Sequence, residues 1–307
     1  MRWRRAKQAL AFAVAASGRG TPPCLRSALG AAVIYNHHPR IMQGEHDIAP
    51  IERGQRMSAE TRYQSVPLHR RWMHDIIHNG KKAHVMGCSW RINVAPLLAA
   101  RGSQLPPAGW TAIWMKSLAL VGRRRPELRT LYMSLPWARL YIHSDMVCTV
   151  VIERTWQDAA AVFFEQVAAP DRRSLYELDE TLRRLKQQPV ESIGSFRRLI
   201  RFARLPVPLR RLIWSLALNW SGPFRMRYFG SAALNPFPVG GHMSQSAMPV
   251  SFMLYFGQVE SNGDADIQIF YDHRVMDGVE IYRIVRDLEA TMNRDIVAEL
   301  NDSRAAA

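Results

Sequence analysis

Three cysteines, at positions 24, 88 and 148, are all that the 307 residues contain. Their odd number, their wide spacing and the lack of any CxxC pair exclude a disulfide framework and a cysteine zinc site, and point to a reducing, cytoplasmic setting. No apolar run approaches the ~18 residues of a transmembrane helix, so no segment reads as a bilayer span. Neither GxGxxG nor GxxxxGK followed by Ser or Thr occurs, which removes two common backbone cradles for nucleotide phosphates. Acidic residues are scarce: 26 Asp and Glu against 41 Lys and Arg leave a net charge of +15. Such an excess favours an anionic partner, whether a nucleotide cofactor, a membrane surface or nucleic acid. For nucleic acid the charge stands alone, because interleaved aromatic and basic strands and a recognition-helix pattern are both missing. No nucleic-acid binding is expected.

What is present is apolar content, 48% of residues, enough for one generous core. The charge is unevenly spread. Residues 1–57 hold nine Arg and Lys but three acids, and an apolar run from Ala9 to Ala16 follows Arg2, Arg4, Arg5 and Lys7. That outline fits a targeting segment. The run is short, however, and no cleavage site follows it, so a disordered extension or a mis-assigned start ahead of Met57 is preferred. The folded domain is then expected over residues 58–307.

Within it, Trp110, Ile113, Trp114, Ser117, Leu118 and Val121 recur at helical spacing until Arg123-Arg124-Arg125-Pro126 ends the helix. Met146 to Glu153 reads as a buried strand. Ser174 and Glu177 form a capping box, ahead of Leu175, Leu178, Leu182 and Leu185 on one helix face. Residues 190–228 stand apart, with eight arginines and one acid. They read as a basic helical insert of two amphipathic stretches. In the first, Phe196, Leu199, Ile200 and Ala203 oppose Arg197, Arg198, Arg201 and Arg204; in the second, Leu209, Leu212, Ile213 and Leu216 oppose Arg210 and Arg211. Such a segment suits a membrane surface or the roof of an acyl-chain channel, and equally a solvated helical excursion.

The C-terminal third reads as a hairpin followed by a helix. Val250 to Val259 is an apolar strand, Ser261-Asn262-Gly263-Asp264 a turn, and Ile267, Ile269 and Tyr271 alternate along a second strand. A helix follows Gly278, with Ile281, Val285, Leu288 and Met292 at spacings of four, three and four. His273 therefore falls on a strand-to-helix connection, where side chains face ligands. An imidazole there suits proton abstraction from a thiol, and Asp277 supplies a fixed carboxylate four residues on. His74 and His78 lie one helical turn apart, as metal ligands can, but Asp75 stands where a zincin has glutamate and no third ligand is apparent. Surface histidines with no metal are the preferred reading.

The string Tyr-Asp-His-Arg-Val-Met-Asp-Gly at 271–278, between an alternating strand and an amphipathic helix, closely resembles the signature of dihydrolipoamide acyltransferase catalytic domains of 2-oxo-acid dehydrogenase complexes. A relaxed form occurs in chloramphenicol acetyltransferase. Met115-Lys116-Ser117-Leu118-Ala119 with Pro126-Glu127-Leu128 is similar to an early family helix, and Gly230-Ser231-Ala232-Ala233-Leu234-Asn235 to the strand bearing the oxyanion-binding serine. The resemblance covers roughly residues 66–298. It implies an α/β fold of the chloramphenicol-acetyltransferase type, a mixed sheet flanked by helices. It also implies an acyltransferase moving an acyl group from a thioester to a thiol, hydroxyl or amine, with His273 as general base and Asp277 as orienting carboxylate. Arg70 or Arg71 is the implied partner of Asp277. Arg274, Ser231 and His242 are implied near the substrate, although His242, after Gly240-Gly241, also reads as structural.

Two departures shape the expectation. No lipoyl-lysine motif and no Pro/Ala-rich linker occurs, which favours a free-standing enzyme that takes an acyl-coenzyme A as substrate, holds no covalently bound cofactor and acts on a small-molecule or lipid acceptor. At the oxyanion serine position stands Asn235. An amide donates a hydrogen bond as a hydroxyl does; the alternative is a catalytically silent binding or scaffold protein. The family pattern further implies a homotrimer with active sites between subunits.

Overall fold

The computed structural model describes residues 65–80, 85–103, 106–237 and 249–305. The expectations for residues 1–57 and for His242 lie outside these residues. Residues 63–307 make up one compact unit. Its centre is a six-stranded mixed sheet in the order β1-β8-β7-β6-β4-β5, formed by β1 (Val85–Asn93), β4 (Val147–Trp156), β5 (Ala159–Ala168), β6 (Ala232–Pro236), β7 (Phe252–Val259) and β8 (Asp264–Asp272). β6 runs parallel to both β4 and β7, and the remaining pairs are antiparallel. A separate hairpin joins β2 (Thr130–Met133) to β3 (Arg139–Ile142). The mixed sheet flanked by helices is the architecture expected from the sequence.

Local chemistry accounts for the elements. Helix α3 (Trp110–Arg124) stops where Arg125 turns extended ahead of Pro126, a residue that disfavours helix in its predecessor. Helix α4 (Leu175–Gln187) opens on the expected box: Glu177 N donates to Ser174 Oγ at 3.2 Å and Ser174 N to Glu177 Oε2 at 3.0 Å. Helix α8 (Gly278–Thr291) buries Ile281, Val285 and Leu288 as the spacing predicts. Trp114 and Leu118 of α3, Leu178 and Leu182 of α4, and the apolar stripe of α8 pack into one core with Cys148, Val150, Leu234, Leu254 and Ile269 from the sheet. The rings of Trp114 and Phe256 stack across it at 5.1 Å.

Residues 190–228 depart from the sequence reading. They form α5 (Gly194–Ala203), α6 (Val207–Asn219) and α7 (Gly222–Phe229), with α7 starting inside the stretch and ending just past it. The first helix buries Phe196, Ile200 and Ala203 as expected. The second is turned round: Arg210, Trp214, Ala217 and Leu218 face inward, while Leu209, Leu212 and Leu216 are exposed. The cause is a carboxylate buried on α1 (Leu68–Gly80). Asp75 accepts from Arg210 Nε at 2.7 Å and from Nη2 at 3.3 Å, both side chains being almost fully buried, and this pair fixes which face of α6 points in.

The sheet carries the site at one end. Cys148, Ala232, Phe252 and Tyr271 form one cross-strand row. One residue further on, Ser251 N donates to Ser231 O at 3.0 Å and Asp272 N to Ser251 O at 2.9 Å, closing a last row beyond which His273 leaves the sheet. Gly230 precedes that row at φ 71°, and a Cβ there would stand 2.5 Å from Val147 O, so only glycine lets α7 turn into β6.

Candidate active site

The connection from β8 to α8 presents His273 half exposed, at 48% of its side chain. Its Nδ1 lies 3.0 Å from Asp277 Oδ1 and 3.2 Å from Met276 O. Both neighbours are acceptors, so in the neutral ring Nδ1 carries the proton and the lone pair sits on Nε2. The ring stands perpendicular to that of Tyr271, with centroids 6.1 Å apart. Asp277 also begins α8, where its N–H donates to Glu280 Oε2 at 2.8 Å. Burial pushes the Tyr271 hydroxyl up, and Cys88 and Asp277 add to that shift.

Beneath the histidine lies a buried electrostatic base. Asp272 is almost completely buried and holds Arg274 by two bonds, Nε at 2.8 Å and Nη2 at 2.6 Å. The Arg274 guanidinium sits 4.2 Å over the Tyr132 ring of β2. Arg225 of α7 completes this layer. Its donors all go to main-chain carbonyls: Nη1 to Tyr132 at 2.7 Å and to Leu218 at 3.1 Å, Nη2 to Pro249 at 3.0 Å. Burial lowers its pKa to about 10, with Asp272 opposing and Arg274 adding to that shift. The two residues flanking His273 are thus clamped, which fixes the backbone that aims the imidazole.

The expected site residues divide into those that meet and those that do not. His273 and Asp277 are in contact, and Arg274 points away from them into its pair with Asp272. Arg70 and Arg71 make no ion pair with Asp277. They sit on α1, which packs on α5, α6 and β5. β5 and β8 lie toward opposite edges of the sheet, so one chain cannot close that pair. Arg71 Nε instead donates to Val66 O at 3.1 Å. Ser231 is wholly buried in the last row, and its hydroxyl has no hydrogen-bond partner among the described residues. Asn235 of β6 pairs with Tyr255 of β7, whose β8 partner is Gln268, five residues before His273. At ~3.3 Å per residue that is roughly 16 Å along the strand, out of reach of His273 in the same chain. Asp272, Arg225 and Tyr132 were not singled out as site residues. Arg225 and Tyr132 lie 93 positions apart, with no local pattern to join them.

No protein-family model and no curated protein sequence matches this chain. Solved structures do. Azotobacter vinelandii dihydrolipoamide acetyltransferase is 14% identical with a TM-score of 0.56, over 82% of this chain and 100% of that one. The cubic core of the pyruvate dehydrogenase multienzyme complex is also 14% identical, at TM-score 0.55 over 82% and 100%. A truncated catalytic core of the 2-oxoacid dehydrogenase complex from Thermoplasma acidophilum is 13% identical, at TM-score 0.53 over 76% and 99%. The likeness establishes the fold: this chain is built as dihydrolipoamide acetyltransferase catalytic cores are.

Proposed function

We propose that the protein is an acyltransferase that takes its acyl group from a coenzyme A thioester and uses His273 as general base. The observation that carries this reading is the setting of the imidazole: two acceptors lie on Nδ1 of a half-exposed ring, which in its neutral form makes Nε2 the basic site. The Azotobacter vinelandii enzyme, for which a serine, a histidine and an asparagine four residues beyond it are named in the catalytic mechanism, supports the placement, since Asp277 likewise lies four residues beyond His273.

In this reading Nε2 takes the proton from the acceptor's thiol, hydroxyl or amine as that atom attacks the thioester carbonyl. The tetrahedral intermediate places negative charge on oxygen, and the Asn235 amide donates to it. Collapse breaks the carbon–sulfur bond, and the imidazolium returns its proton to the departing coenzyme A thiolate. Asn235 is too far from His273 in one chain to serve it, so the site is completed between copies in a homotrimer, His273 from one and Asn235 from the next. The net charge of +15 supports an anionic donor such as coenzyme A. The exposed leucines of α6, together with the exposed arginines of α5, support peripheral contact with an anionic membrane, in a cytoplasmic setting. Thiol release from a panel of acyl-coenzyme A donors, with and without thiol, alcohol and amine acceptors, tests the reading. Acceptor-dependent release that disappears in His273→Ala is the expected result. A folded wild-type protein that releases no thiol from any donor fits instead the alternative, a silent binding or scaffold protein.

A further inference from the structure

The helices α5, α6 and α7 line a half-open cavity of about 310 Å³ against β4 and β5. Phe164, Leu199, Phe202, Ile213, Trp214 and Phe229 make its walls. The rings of Trp214 and Phe229 pack at 4.7 Å, and those of Phe202 and Trp214 at 6.3 Å, so that aromatic rings from α5, α6 and α7 meet along the wall. Few polar groups remain to bind water inside. Thr149 Oγ1 donates to Phe229 O at 2.6 Å, and the Ser195 hydroxyl is taken by Glu165. A cavity whose lining is mostly apolar favours apolar ligands. Its charged lining residue is Arg198, exposed on α5, which faces Glu165 among its neighbours. Burial raises the Glu165 pKa, and the Ser195 hydroxyl and the Arg198 and Arg184 guanidinium groups oppose that shift.

The cavity backs onto the proposed catalytic layer. Pro249 lines it and accepts from the buried Arg225, which in turn bears electrostatically on Asp272, the residue before His273. An apolar cavity of ~150 Å³ accommodates one benzene ring, so twice that volume has room for about 12 carbons.

We infer that this cavity receives a linear hydrocarbon chain of about 12 carbons whose anionic end stays outside beside Arg198. That the chain is the acyl group of the donor rests on the transfer reading above. The chain itself could come from a fatty acid or from a fatty acyl-coenzyme A, and separate arms of the experiment tell them apart.

Calorimetric titration of the full chain with dodecanoate, butyrate, dodecanol and dodecanoyl-coenzyme A tests it, with thiol release from dodecanoyl- and acetyl-coenzyme A measured in parallel. One dodecyl chain is expected per protein chain, with butyrate weaker by roughly 100-fold or more for want of buried methylenes. Ala217→Trp, which fills the cavity from α6, should weaken dodecanoate by at least about tenfold. Arg198→Glu, on the surface and harmless to the core, should weaken dodecanoate and leave dodecanol unchanged. Equal affinity for dodecanoate and butyrate, or dodecanoate binding unaltered in both variants, overturns the assignment. Chain binding with no thiol release from any thioester overturns the transfer reading and leaves the cavity assigned, whereas release from acetyl-coenzyme A without chain binding does the reverse.

Discussion

Asp277 Oδ1 accepts from His273 Nδ1 at 3.0 Å, and among the described residues no arginine closes on that carboxylate. Its partner is the imidazole itself, and in the proposed mechanism it holds one tautomer. His273→Ala is expected to lose roughly 10²–10⁴-fold in acyl transfer, the usual share of a general base. Asp277→Asn should lose roughly ten- to a hundredfold in kcat with little change in KM, as one hydrogen bond to a charged group would dictate. The carboxylate is 70% exposed, so the melting temperature of Asp277→Ala should move only as loss of a helix cap requires, within about 1 kcal/mol. Steady-state kinetics and thermal melts of the three variants check this.

The layer below answers differently. Arg274→Ala would leave the Asp272 carboxylate buried without its cation, and removing one partner of a buried pair costs ~3–5 kcal/mol. Arg274 is about a quarter exposed, so a loss near the lower end, about 3 kcal/mol, is expected. Arg274→Lys should recover only part of it, because the ammonium offers neither the two-pronged bond nor the stacking on Tyr132. Urea unfolding reads the difference, and an Arg274→Ala midpoint equal to wild type would remove the pair from the support of the site.

For the pair between α1 and α6, Arg210→Met should destabilise by ~3–5 kcal/mol, since the Asp75 carboxylate is almost fully buried. Asp75→Leu together with Arg210→Met should regain most of that loss, because a matched apolar pair avoids desolvation altogether. A double-mutant cycle by urea unfolding measures the coupling. A sum of independent losses in the double variant would show that the pair does not set the facing of α6.

These contrasts mark what the sequence makes legible. Elements whose information is local were readable: the Ser174–Glu177 box, the spacing of Ile281, Val285 and Leu288, and the hairpin turning at Gly263 all depend on neighbours within a few residues. His273 with Asp277 was readable for the same reason, lying four residues apart on one connection. Asp75 and Arg210 are 135 positions apart, and their burial reverses the amphipathic pattern of α6 that leucine spacing alone suggests. The Arg70 or Arg71 pairing with Asp277 is not made within one chain on the same ground, because strand order decides which edge each reaches. Asn235 aligned with a motif by position, while its cross-strand row depends on the register of β6, β7 and β8 together.

That register leads to the sharpest test of the assembly. If His273 and Asn235 of one chain serve different sites, His273→Ala and Asn235→Ala are each inactive by a different defect. Asn235→Ala alone should cost about 2.7–4 kcal/mol of transition-state stabilisation, the typical loss of one oxyanion donor. Mixed after unfolding and refolded together in equal amounts, the two variants should form trimers in which about a quarter of the sites join a wild-type His273 to a wild-type Asn235. Activity should then rise from near zero in each variant to about a quarter of wild type, while each variant refolded alone stays inactive. Light scattering on the same samples should give three chains per particle. Mixed samples that stay as inactive as their parents, in particles of that size, would place both residues in one chain's site or remove Asn235 from catalysis, and the sixteen or so ångströms of strand between them argue for the latter.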